Sequence, residues 1–140
     1  MSATWMNSGL LEVLHVITGQ EASARPGTLH LYVNNHTPDP ADTVAAYTEC
    51  TLSGYAPAPY NVMSWSDSGG SGVEVTSAAP LIFTFPPYGG SPVTIYGLYI
   101  TFGAAGTPLY YAELFATPFV VNTAGDTLTL YPSISGQTLP

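Results

Sequence analysis

Glycine and proline decide what this chain can fold into. It carries 14 Gly and 13 Pro in 140 residues, and their punctuation leaves short apolar runs in place of long helical ones. Those runs have strand character, alternating or rich in β-branched and aromatic residues. In the first, Leu29, Leu31 and Val33 alternate with His30, Tyr32 and Asn34. Further strand candidates are Tyr60 to Ser66, Val73 to Ser77, Leu81 to Phe85, Val93 to Phe102, Leu109 to Ala116, Phe119 to Asn122 and Thr127 to Ile134, with Thr43 to Leu52 reading as a short helical turn followed by a strand. The expected fold is mainly β: one domain over residues 1–140, an antiparallel, jelly-roll-like β-sandwich of about eight strands spanning about 28–135. One N-terminal helix is expected over about 7–19, where Asn7 or Ser8 can cap, Leu10, Leu11, Leu14 and Ile17 share a face, and Gly19 can terminate.

Two runs carry more detail. Val93 to Phe102 is apolar or aromatic on both faces, so it is expected to be a central strand whose second face is covered by the helix or by another subunit. In Thr127-Leu128-Thr129-Leu130-Tyr131 the leucines point inward and the Thr and Tyr side chains outward. Between the first strand and Thr43, Asn34 to Asp42 is a turn-rich loop in which Pro38 and Pro40 favour extended backbone before each of them.

Composition argues for a folded chain despite the breakers. Hydrophobic residues make up 46% and aromatics 12%, with ten tyrosines, whereas disordered segments are poor in aromatic and β-branched residues. Charge is the unusual quantity. One Lys+Arg stands against nine Asp+Glu, for a formal net charge of −8, and charged residues are only 7% of the chain, where about 25% is typical. The single basic residue is Arg25. A surface that neutralises phosphates cannot be built, so nucleic acid and anionic membrane are not expected partners. P-loop, kinase-type and Schiff-base chemistry all lose their lysine. Much of the surface must then be neutral Ser, Thr, Asn, Gly and Tyr, which hydrogen-bond a neighbour without the desolvation cost of ions.

Cys50 is the one cysteine, which excludes an intramolecular disulfide framework and reads as a small buried hydrophobe. The first residues lack a basic region, and Leu10 to Ile17 is interrupted by Glu12 and His15, so no signal peptide is expected. No apolar run reaches the ~18 residues of a membrane span. The expectation is a soluble protein made in a cytoplasm.

Chemistry-bearing residues are few. His30 and His36 could meet beside Asp39 and Asp42 as a divalent-metal shell, but no short-spaced metal signature is present and solvated loop polars or an intersubunit contact are the preferred account. No Gly-x-Ser-x-Gly elbow occurs, and Cys50 has no Cys-His context. No catalytic residue, metal or cofactor is therefore assigned. Glu113, inside Tyr110-Tyr111-Ala112-Glu113-Leu114-Phe115, is expected to be a partly buried carboxylate bonded to a tyrosine or backbone, or paired with Arg25. Tyr55, Tyr60, Trp65 and Tyr88 could form a carbohydrate-stacking platform, though core packing and subunit contacts explain the same residues and are the preferred account. With Asn35, His36, Asp39 and Asp42, these four make up the expected contact loops.

Three blocks of sequence carry a resemblance: Asn7 to Leu11 opening a helix; Leu29 to Asn35 leading into Thr37-Pro38, Asp42-Thr43, Tyr47-Thr48-Glu49 and Gly54-Tyr55-Ala56; and Tyr96 to Thr101 with Leu109 to Phe115 and Val121 to Leu128. Together they resemble small structural proteins of tailed bacteriophages. The resemblance implies a non-enzymatic virion component on the outer surface of the particle. The expected role is a capsid decoration, or cement, protein that binds the assembled major capsid protein lattice as a homo-oligomer, a trimer at local threefold positions. The alternative is a tail- or fibre-associated subunit that binds host surface glycan. Arg25 is followed by Pro26, so trypsin-like proteases find almost nothing to cut, which suits an exterior position.

Overall fold

The computed structural model describes residues 2–7, 27–59, 65–67, 74–77, 80–86, 90–102, 109–122, 125–131 and 133–135. Ten strands lie within them: β1 (Ser2–Trp5), β2 (Gly27–Tyr32), β3 (Ala58–Pro59), β4 (Trp65–Asp67), β5 (Glu74–Ser77), β6 (Leu81–Thr84), β7 (Val93–Phe102), β8 (Leu109–Val121), β9 (Thr127–Leu130) and β10 (Ser133–Ser135). They form a five-stranded sheet in the order β1-β8-β7-β2-β3, a three-stranded sheet β10-β5-β4 and a two-stranded ribbon β6-β9. Every pairing is antiparallel.

The mainly β, antiparallel expectation holds, with strands grouped differently from a plain set of about eight. Phe119 to Asn122 is not a separate strand but the end of β8, and the run from Thr127 divides into β9 and β10, which belong to different sheets. The Tyr60 to Ser66 run yields only β4 within the described residues. Asn7 is helical, and the rest of the expected helix lies outside the described residues; the helical element that lies wholly within them is a single 3-10 turn at Val44–Ala46.

Strand β7 is central, between β8 and β2, because both its faces are apolar. Leu98 and Ile100 join Leu29 and Leu31 of β2 in a core completed by Phe83 and Phe85, Tyr111, Val121 and Leu128. This core lies between the five-stranded sheet and the β6-β9 ribbon. The opposite face carries Tyr99, Tyr32, Ala112 and Leu109, and packs with Met6 and Tyr47. Within the described residues, then, the second face of β7 is covered by this chain's own N-terminal segment and the loop after β2.

The β7-β8 pairing is interrupted twice. Ile95 faces Phe119 but Gly97 faces Leu114, so Phe115 to Pro118 stand opposite Tyr96 alone, and a smaller shift follows Ile100. Pro118 has no N–H to give the ladder, and bulges are where such residues are tolerated. The excursion resets side-chain parity: Ile95 and Leu98, three apart, both enter the first core.

Candidate functional site

The loop between β2 and β3 holds the densest polar chemistry among the described residues. Alternation along β2 puts His30 on the face away from Leu29 and Leu31, and pairing with β7 sets His30 opposite Tyr99. The two rings stack at 4.6 Å between centroids with 5° between planes. At the loop's far end the chain returns to β2, Val33 N–H donating to Thr48 O at 2.9 Å and Cys50 N–H to Leu31 O at 2.8 Å. That return brings Glu49 to the histidine: His30 Nδ1 lies 2.8 Å from Glu49 Oε1, and His30 Nε2 lies 3.0 Å from Thr101 Oγ1. A carboxylate only accepts, so His30 Nδ1 is the donor to Glu49. Tyr55 completes the group, donating to Glu49 Oε1 at 2.9 Å and accepting from Leu31 N–H at 3.1 Å.

A second group forms within the loop. Asp42 Oδ2 accepts from His36 Nε2 at 2.7 Å, Tyr47 OH at 2.8 Å and Asp39 N–H at 2.9 Å. Burial alone would raise the Asp42 carboxyl, but these donors outweigh it and hold it below its ordinary value. Asn34 clamps the same turn, donating to Ala46 O at 2.8 Å and accepting from Thr48 N–H at 2.7 Å. The two groups are joined by aromatic rings: Tyr47 stacks on Tyr99 at 5.2 Å and meets Tyr32 and His36 edge-on at 5.0 and 5.2 Å. Burial, reinforced by neighbouring carboxylates, pushes the phenols of Tyr32, Tyr47 and Tyr55 well above their usual range and Tyr99 up to about 12.

His30 and His36 do not share a shell with Asp39 and Asp42. His30 is paired with Glu49 and His36 with Asp42, while Asp39 Oδ1 is used on Ala41 N–H at 2.8 Å. Among the described residues no three His, Cys, Asp or Glu side chains are placed to hold a metal ion. Of the expected contact residues, Asn35 and Asp39 are exposed, His36 and Asp42 half-buried, and Tyr55 packs against the main core with its hydroxyl turned inward. Tyr60, Tyr88 and Arg25 lie outside the described residues, as does the side chain of Trp65. Glu113 is buried, at 7% exposure, and burial pushes its carboxyl up. Its backbone carbonyl is what accepts from a tyrosine: Tyr32 OH shares its proton between Glu113 O at 3.4 Å and His36 O at 3.2 Å. Cys50 is buried, as expected, at 2% exposure.

Sequence reasoning missed Glu49, Tyr47, Tyr99 and Thr101 as members of this network. The available signal was the β2 alternation, which sets His30 and Tyr32 on one face; what it lacked was the strand pairing that brings β7 alongside. No helix among the described residues is long and apolar enough to cross a membrane. No protein-family model matches the chain, and no curated protein matches it.

Proposed function

We propose that this protein is a non-enzymatic structural subunit of a tailed-bacteriophage particle, a decoration protein on the outer capsid surface that binds the assembled lattice as a homo-oligomeric, trimeric unit. The observation that carries the reading is how the loop spends its polar groups. Both of its histidine–carboxylate pairs, two tyrosine hydroxyls and Asn34 are engaged in fixing the loop's shape against the sheet. A loop held this way presents Asn35, Thr37, Asp39, Pro40 and Ala41 with little ordering cost on contact. The same reading takes the five-stranded sheet and the facing ribbon as layers of a jelly-roll-like sandwich. Glycan stacking is less well supported, since Tyr55 is hydrogen-bonded inward.

The mechanism is linkage: a subunit that binds the closed shell and not its dissociated parts stabilises the shell by its binding free energy. No chemistry is required. Electron microscopy of purified particles should locate the protein on the capsid exterior, and shells stripped of it should release DNA at lower temperature, with recovery on adding it back. Unchanged release, or density on the tail, would remove this reading.

A further inference from the structure

Strand β1 is attached to the rest of the molecule in the manner of a docked peptide. Its Cα partners are Tyr111 to Leu114 of β8, Ser2 facing Leu114 and Trp5 facing Tyr111, at the edge of the five-stranded sheet. The backbone contacts continue past the strand, Met6 N–H donating to Tyr110 O at 3.1 Å and Asn7 N–H to Pro40 O at 3.0 Å. Met6 is wholly buried, and the other buried members of its hydrophobic cluster, Tyr32, Tyr47, Tyr99, Leu109 and Ala112, all come from elsewhere in the chain. An extended segment adding to a sheet edge through its backbone, with one large apolar anchor in a pocket, is the pattern of strand-addition recognition.

We infer that the edge of β8 and the Met6 pocket form a strand-acceptor site, and that in the oligomer this site takes residues 2–7 of a second copy of the chain. Three observations favour that occupant. The segment Ser2-Ala3-Thr4-Trp5-Met6-Asn7 carries no charge, so exchanging it between two chains of net charge −8 brings no acid into the contact. A second copy supplies the same anchor for the same pocket, so the exchanged contacts equal those within one chain and only the connection differs. The connection is long enough: residues 8–26 separate this segment from β2, and their covalent length allows a reach of up to ~60 Å, against a radius of gyration of ~14 Å for a domain of this size. The inference concerns how copies join, and it stands or falls independently of whether the assembly decorates a capsid.

The register supplies the test. In the full-length variant Ser2→Cys/Leu114→Cys, the two thiols lie on directly opposed residues, within the reach of a disulfide. Oxidised in the oligomer, it should run as covalent dimers and larger species on non-reducing gels, and as an intrachain-bridged monomer after oxidation at high dilution. An intrachain bridge alone in the oligomer, or a monomer at every concentration, would overturn the inference. If the variant does not fold, wild-type protein mixed from isotope-labelled and unlabelled chains gives the same decision: intermolecular backbone contacts between residues 2–5 and Tyr111 to Leu114 are expected, and intramolecular contacts only would overturn it.

Discussion

The ring of Tyr32 fills the space that a side chain on Gly97 would need. The two are directly opposed across β2 and β7, and a Cβ on Gly97 would stand 2.6 Å from both Cε1 and the hydroxyl oxygen of Tyr32 and would strike the carbonyl oxygen of Glu113. Folding over the glycine carries the Tyr32 hydroxyl to the loop, where it bonds His36 O. Gly97→Ala should therefore destabilise the protein by about 3 kcal/mol, measured by urea unfolding, with faster amide exchange in residues 33–42. A change within a few tenths of a kcal/mol would show that the ring can move aside freely.

Asp42 makes the loop acid-sensitive. Its carboxyl lies below the ordinary value of 3.8 in the folded chain, so its stabilising contribution is complete above about that pH and is lost as the pH falls through the lower folded-state value. Asp42→Asn keeps the shape and weakens three hydrogen bonds, at a cost of about 2 kcal/mol near neutrality. Unfolding free energies measured from pH 7 down to pH 2 should show the gap between wild type and variant closing at the acid end. A constant gap would mean that the charge of Asp42 is irrelevant.

Glu113 acts in the opposite sense. Burial raises its carboxyl above 4.5, so the folded chain favours the protonated form. The penalty is absent below 4.5 and complete once the pH exceeds the raised value. Glu113→Gln should stabilise the protein by about 1 kcal/mol at pH 7 and lose that advantage by pH 4, in paired thermal melts at the two pH values.

The buried phenols should be silent in alkali until the fold gives way. Tyr32, Tyr47, Tyr55 and Tyr99 have raised values, so their contribution is present below about pH 10 and lost as the pH climbs through the folded-state values. Ultraviolet titration should show these four ionising only together with unfolding. Tyr55→Phe also leaves the Leu31 N–H without its acceptor; a cost of about 2 kcal/mol, with faster exchange at that amide, is the expected result.

The part of the fold written in local pattern was legible. Alternation separated Leu29 and Leu31 from His30 and Tyr32, which the structure puts on opposite faces with Tyr32 buried in the second core; in Thr127 to Tyr131 it marked Leu128 as inward and Thr127, Thr129 and Tyr131 as outward, which the structure keeps, and the two-sided apolar run of β7 marked a central strand. Features that depend on which distant segments pair were not legible. Glu49 reaches His30 only because the loop closes back onto β2, and Tyr99 stacks on it only because β7 is the neighbour of β2. The nearness of His36 to Asp42 in sequence was a sound guide, whereas proximity of His30 to the same acids was not, since His30 lies within β2 and pairs with Glu49, while His36 lies in the loop beyond the strand.

The four residues Phe115 to Pro118, set against Tyr96 alone, have a consequence for how this chain can vary. Elsewhere in β8 the loss of one residue would exchange inside for outside along the rest of the strand. Here the ladder is already broken and restarted, so a residue added or removed is taken up as slack, and both halves of β8 keep their phase. The excursion is the place in the sheet where length can change without rewriting its neighbours.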